Sequence, residues 1–176
     1  MFTPAVDFMY KVCLSAIETR SGGLVFTGRK RIGKTRAIRL VFRELAQAFP
    51  DVLFLRVVAS DRASSRERAF YGTLYATFNE APEPRDRAEV RKETVKKAWL
   101  SAARARRVKR IVLRIDEIQG WGVEELAWLK SVVNELDEYN RMPLMTISVG
   151  SEEVEKRARS MAAKHRDDLV GRFYST

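Results

Sequence analysis

Eight consecutive residues, Gly28-Arg29-Lys30-Arg31-Ile32-Gly33-Lys34-Thr35, fill the pattern G-x-x-x-x-G-K-[ST] at every fixed position. The pattern works between a strand and a helix, because backbone N–H groups must converge on an anion at the positive end of the helix. The flanks comply. Leu24-Val25-Phe26-Thr27 reads as a short buried strand. Ile38, Val41, Phe42 and Leu45 mark one face of a helix from Gly33 to Phe49, which Pro50 stops. Gly28 and Gly33 let the loop turn tightly and approach phosphate oxygens without a Cβ in the way. N–H groups of Lys30, Arg31, Ile32, Gly33, Lys34 and Thr35 can then cradle those oxygens. Lys34 supplies a point charge to the β- and γ-phosphates, and the Thr35 hydroxyl a ligand for Mg²⁺. The predicted nucleotide-binding segment is therefore Gly28 to Arg36. Arg29-Lys30-Arg31 is unusually basic for such a loop. Two uses are open: attraction of phosphate, or contact with a neighbouring subunit.

The remaining chain alternates apolar runs with helical periodicity. Thr3-Pro4 opens a helix through Arg20. Val52 to Val58, Ile111 to Ile115 and Leu144 to Val149 read as strands. Helices are expected at Ser64–Phe78, Arg85–Arg107, Val123–Tyr139 and from Glu152 onward. Pro82 and Pro84 break the helical pattern between the first two of these. Strands alternating with helices imply an α/β fold, a parallel sheet with helices on both faces. The 176 residues are read as one domain, with an N-terminal helical segment 1–21 and a core 22–176.

Asp116 and Glu117 end the third strand. Open α/β sheets bind ligands at the carboxyl ends of their strands. Both acids are expected there, beside the strand that carries the glycine loop. Asp116 is the candidate organiser of Mg²⁺ and its waters. Glu117 is the candidate general base that orients an attacking water. Near the end of the fourth strand Ser148 and Thr146 share one face. Either can sense the γ-phosphate, or simply bond within the sheet.

The chain carries 33 Lys and Arg against 23 Asp and Glu, a net charge of +10. A field of that sign attracts polyanions, so nucleic acid is an expected partner. Arg62 and Arg66, after the second strand, and Arg85, with Arg87 and Arg91 opening the next helix, are the candidate phosphate-backbone contacts. The densest basic run, Arg104 to Arg110, falls on the opposite edge of the sheet and ranks below them, since cations at a helix end also answer the dipole. One cysteine, Cys13, leaves no internal disulfide. No apolar run reaches about 18 residues, and the N-terminus lacks a basic segment followed by an apolar one. A cytoplasmic location is expected.

The order of phosphate loop, second strand, acidic third strand, polar fourth strand and late arginine resembles the AAA+ ATPase core of the P-loop NTPases. Within it, Ile115-Asp116-Glu117-Ile118-Gln119, Trp128-Leu129-Lys130, Asn134-Glu135-Leu136, Ser148-Val149-Gly150-Ser151-Glu152 and Arg166-Asp167-Asp168-Leu169-Val170-Gly171-Arg172-Phe173 are similar to stretches of the TnsC/TniB/MuB-type regulators of DNA transposition. The likeness runs from about Gly22 to Phe173. It implies ATP and Mg²⁺ as ligands, and ATP-driven assembly into rings or filaments on duplex DNA. Arg172 would be the finger that reaches a neighbour's nucleotide, with Arg159 and Arg166 as weaker candidates. A transposase would be the partner, and hydrolysis would disassemble the filament. The family's small helical lid, expected after Arg-Phe, is missing from these residues. Two other readings remain. One is a STAND-type nucleotide-gated signalling ATPase acting through protein partners. The other is a small-molecule kinase, disfavoured because the Asp116-Glu117 pair suits activation of water.

Overall fold

The computed structural model describes residues 3–59, 66–78, 87–163 and 167–173. Their order is α1 (Pro4–Glu18), β1 (Gly23–Phe26), α2 (Lys34–Ala48), β2 (Val52–Val58), α3 (Glu67–Tyr75), α4 (Ala88–Ala105), β3 (Arg110–Asp116), α5 (Val123–Asn140), β4 (Leu144–Val149), α6 (Glu153–Ala162) and α7 (Asp167–Phe173). Pro4 sits in the first turn of α1, where a missing N–H costs nothing. The expected parallel sheet is present, with strand order β1-β4-β3-β2 and every pairing parallel. Single 3-10 turns follow α3 and β3.

Period-2 alternation divides the strand side chains between two cores. On one face, Val112, Met145, Ile147 and Val149 meet Cys13, Ile17, Ile38, Val41 and Leu45 of α1 and α2. On the other, Ile111, Leu113, Ile115, Leu53 and Leu55 meet Leu74, Trp99, Leu129 and Leu136 of α3, α4 and α5. The β3 segment is buried over Ile111–Asp116, as a strand covered on both faces must be. Burial holds the Cys13 thiol at a pKa of about 12, so it stays an inert packing group.

Between α4 and α5 the Glu135 carboxylate takes Lys92 and, at 2.5 Å, Lys96. Burial works against that carboxylate's charge, but the two ammonium groups outweigh it and hold its pKa below the ordinary value. Polar groups thus fix the register of two helices whose other faces are apolar.

One expectation is corrected. The acidic end of β3 is not beside the phosphate-loop strand: β4 lies between β1 and β3. The acids therefore stand about two strand spacings from β1, roughly 9–10 Å. Order along the chain does not set order in the sheet, because each parallel neighbour is reached through a crossover connection.

Candidate nucleotide site

Gly33 precedes α2 with φ 89°, and Gly28 has φ 155°. Both angles are disfavoured for residues with a Cβ, so the two fixed glycines are required by the backbone itself. Arg31, with φ 67°, adopts the same left-handed region without that freedom. The loop winds around the Lys34 ammonium, which donates to the carbonyl oxygens of Gly28 (2.6 Å) and Arg29 (2.5 Å). The three basic residues part company here. Lys30 and Arg31 line a cleft, and Lys30 also donates to Glu153 at 2.8 Å. That hydrogen bond raises the Lys30 pKa and lowers that of Glu153. Arg29 faces Glu152 at 3.8 Å, and Thr27 donates to Glu155 at 2.9 Å. The loop is thus moored to the acidic first turn of α6.

The cleft measures about 570 Å³ and is lined by Lys30, Arg31, Gly33, Lys34, Thr35, Arg36, Arg39, Glu117 and Ser151. Five of those residues are cationic and one is acidic, a balance that suits a polyphosphate. Glu117 has φ 57° and ψ 43°. Holding a glutamate in the left-handed region costs of order 1–3 kcal/mol, and such strain concentrates at functional sites. Its Oε2 accepts from Gln119 Nε2 at 2.5 Å. Gln119 Oε1 in turn accepts from the Ser151 N–H at 3.0 Å. Gln119 therefore bridges the candidate base to the start of α6.

Asp116, the chain neighbour of Glu117, is buried. Its Oδ2 accepts from Arg56 Nε (3.1 Å) and Arg114 (3.2 Å). Its Oδ1 is buried with no partner among the described residues. A buried carboxylate oxygen left over in this way fits a metal-bound water or a metal. Thr35, at the cleft wall, fits as the hydroxyl ligand. Arg114 stacks over the Phe42 ring at 5.2 Å, and burial lowers its pKa against the pull of Asp116. Asp116 is thus also the counter-ion of a buried arginine.

The model of a family described as an AAA domain matches residues 17–158. The chain belongs to that AAA domain family. Among solved structures, the AAA domain is similar to the Aeropyrum pernix ORC2 protein in its ADPNP-ADP complexes, with TM-score 0.64 and 16% identity over 96% of this chain and 46% of that one. The ADP form of ORC2 gives TM-score 0.62 and 14% identity over 94% and 45%. The Candida albicans Pif1 helicase gives TM-score 0.50 and 18% identity over 88% and 35%. At these identities the likeness is one of fold, and the chain spans less than half the length of the ORC2 chains it matches. No curated protein sequence matches it.

Within this AAA domain the predicted residues are only partly brought together. Lys30, Arg31, Gly33, Lys34, Thr35, Arg36 and Glu117 share the cleft, whereas Gly28, Arg29, Ile32 and Asp116 do not line it. Ser148 and Thr146 are also not brought there. Their hydroxyls are buried without partners among the described residues, and Ser148 is in register with Val25 and Ile115 of the opposite core. The strand period sends Ser148 away from α2. Ser151, just past the strand end, reaches the cleft instead, with its hydroxyl buried and unpartnered among the described residues. Arg66 is exposed just before α3, and Arg91 is buried and donates to the Arg68 carbonyl at 3.2 Å. Arg62, Arg85 and Arg166 lie outside the described residues. Arg159 is exposed beside Glu155, and the backbone of Arg172 belongs to α7. Arg39 was legible as the next turn of α2 after Arg36. Gln119 carried the weaker signal of an amide two residues beyond Glu117.

Proposed function

We propose that this AAA domain hydrolyses ATP with Mg²⁺, and works on duplex DNA as a regulator of transposition. The observation that carries hydrolysis is Glu117, strained and hydrogen-bonded, in the same cleft as Lys34 and Thr35. In this reading the loop N–H groups and Lys34 hold the phosphates, and Arg36 and Arg39 add to the field. Glu117 orients a water and takes its proton. Magnesium, when bound, neutralises developing charge on the phosphates; Thr35 and Asp116 are the residues that would hold it. Ser151 replaces Ser148 as the hydroxyl placed to sense the γ-phosphate. Arg172 on α7 is the proposed finger toward a neighbouring copy.

The DNA and transposition parts rest on the net charge of +10 and on the likeness of residues 115–119, 128–136, 148–152 and 166–173 to transposition regulators. The test is phosphate release with and without duplex DNA. We expect DNA-stimulated turnover that falls steeply with salt, abolished in Glu117→Gln with ATP binding retained. Assembly and turnover indifferent to DNA would favour the signalling reading. Normal turnover in Glu117→Gln would remove Glu117 as base.

A further inference from the structure

The edge of the sheet opposite the cleft carries a second basic feature. All four strands start there, because all run parallel. The segments leading into them are stitched together. Arg110 donates to the Ile17 carbonyl (2.8 Å), the Thr146 N–H to Gly22 (3.3 Å), the Ile111 N–H to Pro143 (3.0 Å) and the Lys109 N–H to Asp51 (3.3 Å). Six exposed cations sit on these segments: Arg20, Arg104, Arg106, Arg107, Lys109 and Arg141. None of the six makes an ion pair among the described residues.

Helices α1, α4 and α5 all end at this edge, and each closes through a residue in the left-handed region: Arg20 (φ 57°), Arg107 (φ 55°) and Arg141 (φ 49°). Two of the ends are closed by i+5 bonds, from Ser21 N–H to Ala16 (2.9 Å) and from Val108 N–H to Ala103 (3.0 Å). Glycine is the ordinary occupant of such a position and asparagine the alternative, because a Cβ is unfavourable there. An arginine gives no conformational benefit at any of the three. Dipole complementarity would be served as well by a cation in the last helical turn, with glycine left at the cap. Three strained arginines on one stitched edge point to a use for the guanidinium groups themselves.

We propose that this edge binds the phosphodiester backbone of duplex DNA, with Arg20, Arg107 and Arg141 as its main contacts. The proposal rests on the DNA partner of the reading above. It assigns that partner to the face away from the nucleotide, rather than to Arg62, Arg66 and Arg85. Guanidinium forks suit phosphate oxygens. Contacts to the phosphodiester backbone carry no sequence information, so binding is expected to be indifferent to sequence.

The test is fluorescence anisotropy with a labelled duplex of about 20 bp, without nucleotide, across a salt series. The triple variant R20G/R107G/R141G relieves backbone strain, so its urea midpoint should stay level or rise. Its DNA affinity should fall at least about tenfold at 0.1 M salt, and its log–log salt slope should shrink by up to about 2.7, near 0.9 for each lost phosphate contact. R20K/R107K/R141K keeps the charge but not the fork, so its affinity should fall between those of the glycine variant and wild type. The control K11A/R43A/K97A removes the same net charge from helix flanks and should lose much less. Equal losses in the control and the glycine variant, or unchanged binding in the glycine variant, would overturn the assignment. So would a loss seen with phosphatidylserine vesicles but not with DNA. A wild-type chain that binds no duplex would sink the DNA partner itself, and this proposal with it.

Discussion

Gly150 is the tightest point in the frame that supports Glu117. A Cβ built there would stand 2.4 Å from Val154 Cγ2, 2.7 Å from Gln119 Oε1 and 2.9 Å from Ile118 Cγ2. All three lie inside the distance real Cβ atoms keep. Val154 and Ile118 are 1% and 0% exposed, and both are β-branched, so neither rotates away cheaply. The Gly150 N–H is also pinned to the Phe26 carbonyl at 3.0 Å, so the backbone cannot retreat without loosening β1 from β4. Overpacking of a buried site costs typically 1–3 kcal/mol, and two rigid neighbours place Gly150→Ala at about 2–3. The Gln119 amide is the one flexible neighbour. It yields first and gives up the Ser151 N–H. Urea unfolding of Gly150→Ala should therefore show a lower midpoint with an unchanged m-value. Turnover should fall further than the unfolded fraction explains. Val154→Ala alone should cost about 2 kcal/mol as a cavity. Combined with Gly150→Ala it removes the closest clash but leaves Ile118 Cγ2 at 2.9 Å, so the pair should fall short of additivity by about 1 kcal/mol. An additive cycle, or a single variant within about 0.5 kcal/mol of wild type, would refute the packing argument.

Three further predictions concern neighbouring groups. Gln119→Leu keeps the side chain's bulk and removes both hydrogen bonds; turnover should drop about tenfold or more with ATP affinity within about twofold, since a positioned base contributes about 10²–10⁴, and a matched fall in affinity would mean a role in binding instead. Asp116→Ala strands the Arg114 guanidinium, whose side chain is 5% exposed, so thermal or urea unfolding should register a loss of about 3–5 kcal/mol without any nucleotide. Asp116→Asn keeps an acceptor but removes the charge, so it should cost nearly as much, and a near-neutral Asn variant would contradict the counter-ion role. Glu135 has a lowered folded pKa, so its stabilisation is full above the ordinary value of 4.5 and is lost as pH falls through the folded value. Glu135→Gln should cost about 2 kcal/mol at pH 7, and its stability should begin to approach wild type below pH 4.5 and meet it only below the lowered folded pKa, as read by urea midpoints against pH.

The local chemistry of this chain was written in its sequence. The glycine loop, its strand and its helix follow from spacing alone, because the φ values at Gly28 and Gly33 and the dipole of α2 are short-range facts. The strands Val52–Val58 and Leu144–Val149 were legible for the same reason: a run of β-formers between breakers is a local signal. What lies across the sheet was not. That β4 separates β1 from β3 depends on which strands pair, and pairing leaves no mark in a window of ten residues. The same long-range order turns Ser148 into the far core and leaves Ser151 at the cleft. It folds Arg91 inward, ties Ser151 to Gln119, and brings Arg56 onto Asp116. Residue types set which groups can do phosphate chemistry. Only packing, which joins residues distant in the chain, decided which of them meet.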